Sequence, residues 1–224
     1  MPFIMIDSPL PLFQFKTSAT FVNNSAGGTN MTFPASILPG DLIVMWDTAE
    51  GPNVPAFKLP PGFNSGGVAD TYPGSPGNPA GIIFGYKFAD ASDAGRTYNG
   101  MNANAMSATV IMVFNSSTRP FTNYSSGSPD FDLGAGGAPP GQTIVAGVAP
   151  NIAFGLYMQS GGTFSPGFSP GSDGFATAAT SGTFPILRAS ISYKIFNSAP
   201  VNIAVSLGTN VDTSCLACIR IDGS

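Results

Sequence analysis

Short apolar runs closed by Gly- and Pro-rich turns constrain the fold of this chain more than any other feature. The clearest example lies in SILPGDLIVMWD, where the turn Leu38–Asp41 leads into five apolar residues, Leu42 to Trp46. A continuous apolar run of this length is typical of a strand that is covered on both faces. No stretch of twelve or more residues has convincing helical periodicity. We therefore predict an all-β protein.

The composition supports many short strands rather than disorder. Charged residues make up only 9% of the 224 residues, compared with about 25% in an ordinary globular protein. Disorder requires low hydrophobicity and high net charge, whereas this chain is 43% hydrophobic with a formal net charge of −4. The 28 Gly and 21 Pro residues suit frequent turns.

The second half of the sequence repeats the pattern of the first. Tyr86-Lys87 matches Tyr193-Lys194 at an offset of 107 residues, and the same offset relates Phe114 to Ile221 with the apolar faces in phase. Such self-similarity predicts a tandem duplication. Two upstream matches need gaps: Gly40-Asp41 with Pro150-Asn151 at an offset of 110, and the Pro-Gly-Phe turns Pro61–Phe63 and Pro166–Phe168 at an offset of 105.

The repeat suggests a division of the chain. Residues 1–16, which contain three prolines, are predicted to form an extended N-terminal arm with a short strand near its end. Residues 17–224 are predicted to form one domain: half one at 17–114, a linker at 115–141, and half two at 142–224, with a long loop at Gly161–Gly182. Four strands make a thin core, so we favour a single β-sandwich, jelly-roll or immunoglobulin-like, in which the two halves pack face to face.

The residue types needed for common enzymatic chemistry are largely missing. The chain has no His, which excludes Ser-His-Asp and Cys-His arrangements. Cys215 and Cys218 lack the other two ligands of a zinc site, and in a strand they would point to opposite faces. Glu50 near Asp47 is the one conceivable carboxylate pair. We predict no enzymatic activity, no cofactor and no metal site; the carboxylates considered as calcium ligands are Asp90, Asp93, Asp130 and Asp132, too few for a cage.

The charge pattern also limits the partners. The eight basic residues are scattered and form no basic patch, so we predict no nucleic-acid binding. No apolar run approaches the roughly 20 residues of a membrane span, and residues 1–6 lack the length and basic start of a signal peptide. A surface this poor in charge is better suited to being covered by partners than to a free monomer.

Four segments in order give the chain a resemblance to a known family. They are PGDLIVMW within Leu38–Trp46, PPGF at Pro60–Phe63, YKFADASDAG at Tyr86–Gly95 and SATVIMVF at Ser107–Phe114. Together, over about residues 20–221, they resemble a sandwich family of bacteriophage virion proteins and some bacterial surface proteins. The family's usual pattern has Trp where this chain has Phe63, and a Tyr-Arg-Gly ending where it has Phe114-Asn115. The resemblance implies a phage structural component.

The functional hypothesis combines this resemblance with the missing catalytic residue types. We predict a non-enzymatic capsid decoration, or cement, protein on the virion surface that binds the major capsid protein or other virion subunits as a homo-oligomer, with a trimer as the expected state. The alternatives are a tail fibre or baseplate module that binds carbohydrate or a host receptor through Tyr124 or Tyr157, and a bacterial surface adhesion domain. The candidate interface residues are Phe3, Ile4, Ile6, Leu10, Leu12 and Phe13 in the arm, Phe121, Tyr124 and Phe131 in the linker, and Phe164 and Phe168 in the long loop.

Overall fold

The computed structural model describes residues 13–24, 29–51, 59–72, 80–101, 106–116, 123–126, 130–133, 141–144, 151–181, 186–196, 202–208 and 213–222. These ranges contain β-strands and no helix, which confirms the all-β prediction. The strands are β1 (Phe13–Asn23), β2 (Thr29–Thr32), β3 (Leu42–Glu50), β4 (Asn64–Tyr72), β5 (Ala80–Phe88), β6 (Thr97–Met101), β7 (Met106–Ser116), β8 (Asn123–Ser126), β9 (Asp130–Leu133), β10 (Gln142–Ile144), β11 (Asn151–Ser160), β12 (Pro166–Ser169), β13 (Gly174–Ala179), β14 (Leu187–Phe196), β15 (Ile203–Leu207) and β16 (Thr213–Asp222).

Two large antiparallel sheets carry most of the strands. The first sheet has the order β1-β7-β3-β5-β4, and the second has the order β13-β14-β11-β16-β8, with β9 also pairing β16. The central strands β3 and β11 are buried along their whole length. This burial on both faces explains why their sequences are nearly continuous apolar runs.

The pairing register gives the two large sheets equivalent positions. In the first sheet Val44 of β3 pairs with Tyr86 and with Met112. In the second sheet Phe154 of β11 pairs with Tyr193 and with Ile219. The equivalent residues Tyr86 and Tyr193 are 107 residues apart, as are Met112 and Ile219, and Val44 and Phe154 are 110 residues apart. These are the offsets that the sequence suggested. Leu42–Trp46 and Ile152–Met158 therefore occupy the same place in their sheets.

Two smaller sheets cover the outer faces of the large ones. Strands β2 and β6 pair with each other, and β15 pairs with β10 and β12. Beneath the β2–β6 pair lies a buried cluster that includes Ile43 and Met45 of β3. Beneath the β15 sheet lies another, which includes Ala153 and Tyr157 of β11. Alternate side chains of each central strand thus point outward into these clusters.

The inner faces of the two large sheets share a third and larger buried cluster. It contains alternate residues of β3, β5 and β7 from the first sheet and of β11, β14 and β16 from the second. The indole Nε1 of Trp46 crosses between the sheets and donates a hydrogen bond of 2.9 Å to the carbonyl oxygen of Tyr157. Edge strand β1 lies against β13, and edge strand β4 lies against β8. Because β1 corresponds to β8 and β4 to β13, the two contacts are related by an approximate two-fold axis between the sheets.

The structure corrects the prediction of a long loop at Gly161–Gly182. This segment contains β12, which pairs with β15, and β13, which pairs with β14. Pro166–Ser169 is therefore a strand and not a counterpart of the turn at Pro60–Phe63. Instead, Gly174 pairs with Tyr193 as Asn64 pairs with Tyr86, so β13 corresponds to β4.

Two further predicted segments also contain strands. The segment 115–141, expected as a linker, contributes β8 and β9, both paired with β16. Of the arm at 1–16, residues 1–12 lie outside the described residues, and residues 13–16 begin β1.

Candidate functional site

The ionisable residues of the YKFADASDAG segment stabilise a turn through hydrogen bonds and an ion pair. Lys87, in the YKFADASDAG segment, is 5% exposed, and its Nζ lies 2.8 Å from the carboxylate of the fully buried Asp93. The other carboxylate oxygen of Asp93 accepts the backbone N–H of Asp90 at 2.8 Å. These contacts fix the turn between β5 and β6, so this part of the motif is structural.

The same contacts shift two pKa values. Burial alone would lower the pKa of Lys87, but the hydrogen bond from Lys87 to Asp93 and the charges of Asp93 and Asp90 outweigh burial and raise it. The pKa of the exposed Asp90 falls from 3.8 to about 2, because the side chain and the backbone N–H of Ser92 both donate hydrogen bonds to its carboxylate. Both shifts stabilise the charged forms.

The side chains of the Asp47–Glu50 pair and of the Cys215–Cys218 pair point apart. Asp47 and Glu50 are three residues apart in β3 and therefore point to opposite faces, and Asp47 accepts a hydrogen bond of 2.8 Å from Thr109 Oγ1. Cys215 lies in the cluster between the large sheets and Cys218 in the cluster beneath the β15 sheet, which confirms their predicted opposite orientation. Neither cysteine is in a disulfide bond, and burial raises the pKa of Cys218 to about 12.

Two other kinds of site are absent from the described residues. No group of three or more His, Cys, Asp or Glu side chains in them is arranged to hold a metal ion. No helix in the same ranges has the length and hydropathy to cross a membrane.

A cleft of about 360 Å³ opens on the outer face of the second large sheet. It lies between the central part of that sheet and the segment that runs from β12 to β13. Its lining side chains are aromatic, small or hydroxyl-bearing, and none is charged. They belong to Tyr157, Pro166, Phe168, Gly171, Ser172, Phe175 and Ser192.

Two buried hydroxyl groups form the polar part of the cleft. Tyr157 is fully buried, and its hydroxyl donates a hydrogen bond of 2.9 Å to the carbonyl oxygen of Gly167. The same hydroxyl lies 3.1 Å from Ser192 Oγ. Because burial raises the pKa of Tyr157, the phenol stays neutral at physiological pH. The polar groups of this cleft are therefore uncharged.

The cleft arises where the two large sheets differ in sequence. In the first sheet Met45 pairs with Gly85, and the equivalent pair in the second is Gly155 with Ser192. A methyl group on Gly85 would collide with Leu59 and Phe63, which pack over it. In the second sheet, the space over Gly155 holds Tyr157 Oη, Ser192 Oγ and the ring of Phe168. The position over Gly85 in the first sheet is thus filled by apolar side chains, whereas the equivalent position over Gly155 in the second sheet has two hydroxyl groups beside an aromatic ring.

A second surface feature is the edge strand β1. Among the described residues, no strand pairs with the side of β1 that faces away from β7. Phe15 and Val22 on this strand are 41% and 43% exposed. Lys16 is its one charged residue, and its Nζ lies 2.6 Å from Asp41 Oδ2, a carboxylate that is 4% exposed. The edge therefore has exposed apolar side chains and little free charge.

The predicted interface residues fall into three groups. Phe13 is 2% exposed and belongs to the molecule's own core, while Phe164 and Phe168 are half-buried against the cluster beneath the β15 sheet. Tyr124 and Phe131 lie in β8 and β9, two strands of the second large sheet. The residues outside the described ranges are Phe3, Ile4, Ile6, Leu10, Leu12 and Phe121.

The structure brings one predicted contact residue, Phe168, together with Tyr157, which the carbohydrate-binding alternative had named. Sequence reasoning missed Phe15, Val22, Phe175 and Ser192. The repeat in the sequence aligns Met45 and Gly85 with Gly155 and Ser192. This difference between the halves was the sequence feature that could have indicated the cleft.

The fold defines an all-β protein with two large antiparallel sheets, and the ion pairs among its described residues join groups of the same chain. Comparison of the chain with protein-family models, with curated proteins and with solved structures gives no match.

Proposed function

We propose that this chain is a non-enzymatic structural protein of a bacteriophage virion, which decorates the capsid by binding the major capsid protein as a symmetric homo-oligomer. In this proposal its two large sheets form a single β-sandwich of two duplicated halves. The motif resemblance described above points to the virion. The composition, with only 9% charged residues, suits a protein whose surface is largely covered in an assembly.

The observation that carries the proposal of assembly is the outer edge of β1, with which no other described strand pairs. Proteins usually protect an edge strand with charged side chains, proline or a covering segment, because unpaired backbone groups recruit other strands. β1 is eleven residues long, and its lysine is already engaged by Asp41. Phe15 and Val22 pair with Phe114 and Ala108 of the inner cluster, and the ring of Phe15 stacks on Tyr193 while it stays 41% exposed. A second subunit or a capsid subunit would bury them.

The internal role of the charged groups supports a structural rather than a catalytic protein. Asp41, Asp93, Asp173 and Asp222 each pair with a lysine or arginine of the same chain. These carboxylates stabilise turns and strand ends, and their pairing gives no acid–base pair of the kind that hydrolysis requires.

The test is the mass of the purified full chain in solution, measured by light scattering after size exclusion, followed by co-sedimentation with shells of the major capsid protein from the same virion. We expect an oligomer that binds shells, and Phe15→Ser with Val22→Ser should weaken both properties. Phe175→Ser, at a somewhat more exposed aromatic residue on the outer face of the second sheet, is the matched control. A monomeric wild type that fails to sediment with shells would contradict the proposal.

A further inference from the structure

We propose that the cleft between β11, β14 and the β12–β13 segment is a binding site for a single neutral sugar ring. This site is separate from the β1 edge and goes beyond the structural role proposed above. It would allow a decoration protein to hold a glycan on its outer surface.

The first argument is the chemistry of the walls. Phe175 is 49% exposed, and its ring borders the cleft together with the half-buried Phe168 and with Pro166. The face of an aromatic ring is electron-rich and attracts the polarised C–H groups on one side of a pyranose. A volume of about 360 Å³ lies at the lower end of the range for small-ligand sites. The cleft therefore suits one ring and its substituents rather than an extended chain.

The second argument is a hydrogen-bond acceptor that the protein leaves available. A tyrosine hydroxyl has one hydrogen, and Tyr157 gives it to the carbonyl oxygen of Gly167, which can only accept. In the contact of 3.1 Å between the two hydroxyls, Ser192 must therefore donate and Tyr157 accept. The lone pairs of Ser192 Oγ then remain open, and no other donor among the described residues reaches them. A ligand hydroxyl would supply that donor.

The third argument is the absence of charge in the lining. Phosphate and carboxylate ligands are usually bound by Lys, Arg or a helix N-terminus, and the cleft has none of these among its lining residues. Asp173, which follows Ser172 of the lining, is neutralised by Lys194 at 3.0 Å. A nucleotide would bring phosphate to a protein of net charge −4. A neutral polyhydroxylated ring is the ligand class that fits both the aromatic walls and the hydroxyl floor.

The experiment is saturation-transfer NMR and titration calorimetry on the full chain with glucose, galactose and N-acetylglucosamine, with uridine as a neutral aromatic comparison. We expect saturable binding of at least one sugar in the millimolar range. Phe175→Ala and Ser192→Ala should each weaken it about tenfold or more, while the control Leu38→Ala, at an exposed apolar residue outside the cleft, should leave it unchanged. Because Phe175 is half exposed, its variant is expected to fold normally, which thermal unfolding checks.

Three results would overturn the proposal: no binding of any sugar at millimolar concentration, binding that survives both cleft substitutions, or binding of uridine in preference to all three sugars. Loss of shell binding or oligomerisation, by contrast, would bear on the proposed structural role and not on this cleft.

Discussion

At the scale of single residues, Gly155 is the position where the cleft depends most on the absence of a side chain. A Cβ atom there would lie 2.5 Å from Tyr157 Oη, 2.7 Å from Ser192 Oγ and 2.8 Å from Phe168. Gly155→Ala should therefore lower the free energy of unfolding by about 1–3 kcal/mol through overpacking. Urea unfolding followed by circular dichroism measures this change. The exposed Ala179→Ser is the control, and equal stability of the two variants would contradict the prediction.

Asp90 gives a residue-scale prediction for pH. Its pKa is about 2 in the folded protein and 3.8 without these contacts, so its charged form stabilises the fold. This contribution is fully present above pH 3.8 and is lost as the pH falls towards 2. Asp90→Asn should remove part of the decrease in unfolding free energy over that interval. Urea titrations at several acidic pH values test it, and an unchanged pH dependence in the variant would count against this account.

At the scale of secondary-structure elements, the sequence predicted the central strands well because burial on both faces leaves a continuous apolar run. It failed at β12 and β13, which begin with Pro166 and Gly174. Pro166 is tolerated because β12 is an edge strand, and Gly174 is required because a side chain there would strike the ring of Tyr193. These are tertiary reasons that local composition does not reveal. The cleft was missed for the same reason, since β12 and β13 flank the segment that forms its wall.

The turn between β5 and β6 gives a prediction at the scale of elements. Lys87, which pairs with Asp93 of this turn, has an equivalent in Lys194, which pairs with Asp173. Asp93→Asn leaves the buried Lys87 without its main partner and should cost roughly 3–5 kcal/mol of unfolding free energy. Since the pKa of Lys87 is raised above 10.5, the stability due to this pair is present below that pH and is lost as the pH rises further.

The matched control for that turn is Asp173→Asn, which breaks the exposed pair of Lys194 and should cost about 1 kcal/mol or less. Thermal and urea unfolding at neutral pH compare the two variants. A similar decrease in unfolding free energy in both variants would show that the burial of Asp93 does not strengthen its contribution to stability.

At the scale of the whole molecule, the shared inner cluster should make the two halves unfold together, although each also has its own outer cluster. Trp46 is the residue to test, because its side chain is fully buried and its indole joins the first half to the carbonyl of Tyr157 in the second. Trp46→Phe leaves a cavity and removes this hydrogen bond between the sheets, for an expected cost of about 2–4 kcal/mol. If the halves form one cooperative unit, hydrogen exchange should accelerate in β11, β14 and β16 as much as in β3 and β7.

The control within the first half is Tyr98→Phe, which removes a buried hydroxyl that has no hydrogen-bond partner among the described residues and should leave stability nearly unchanged. Faster exchange confined to the first half in Trp46→Phe would mean that the halves are separate folding units that merely touch. Faster exchange in both would mean that neither large sheet keeps its inner face covered without the other. The two large sheets would then form one cooperative domain rather than two.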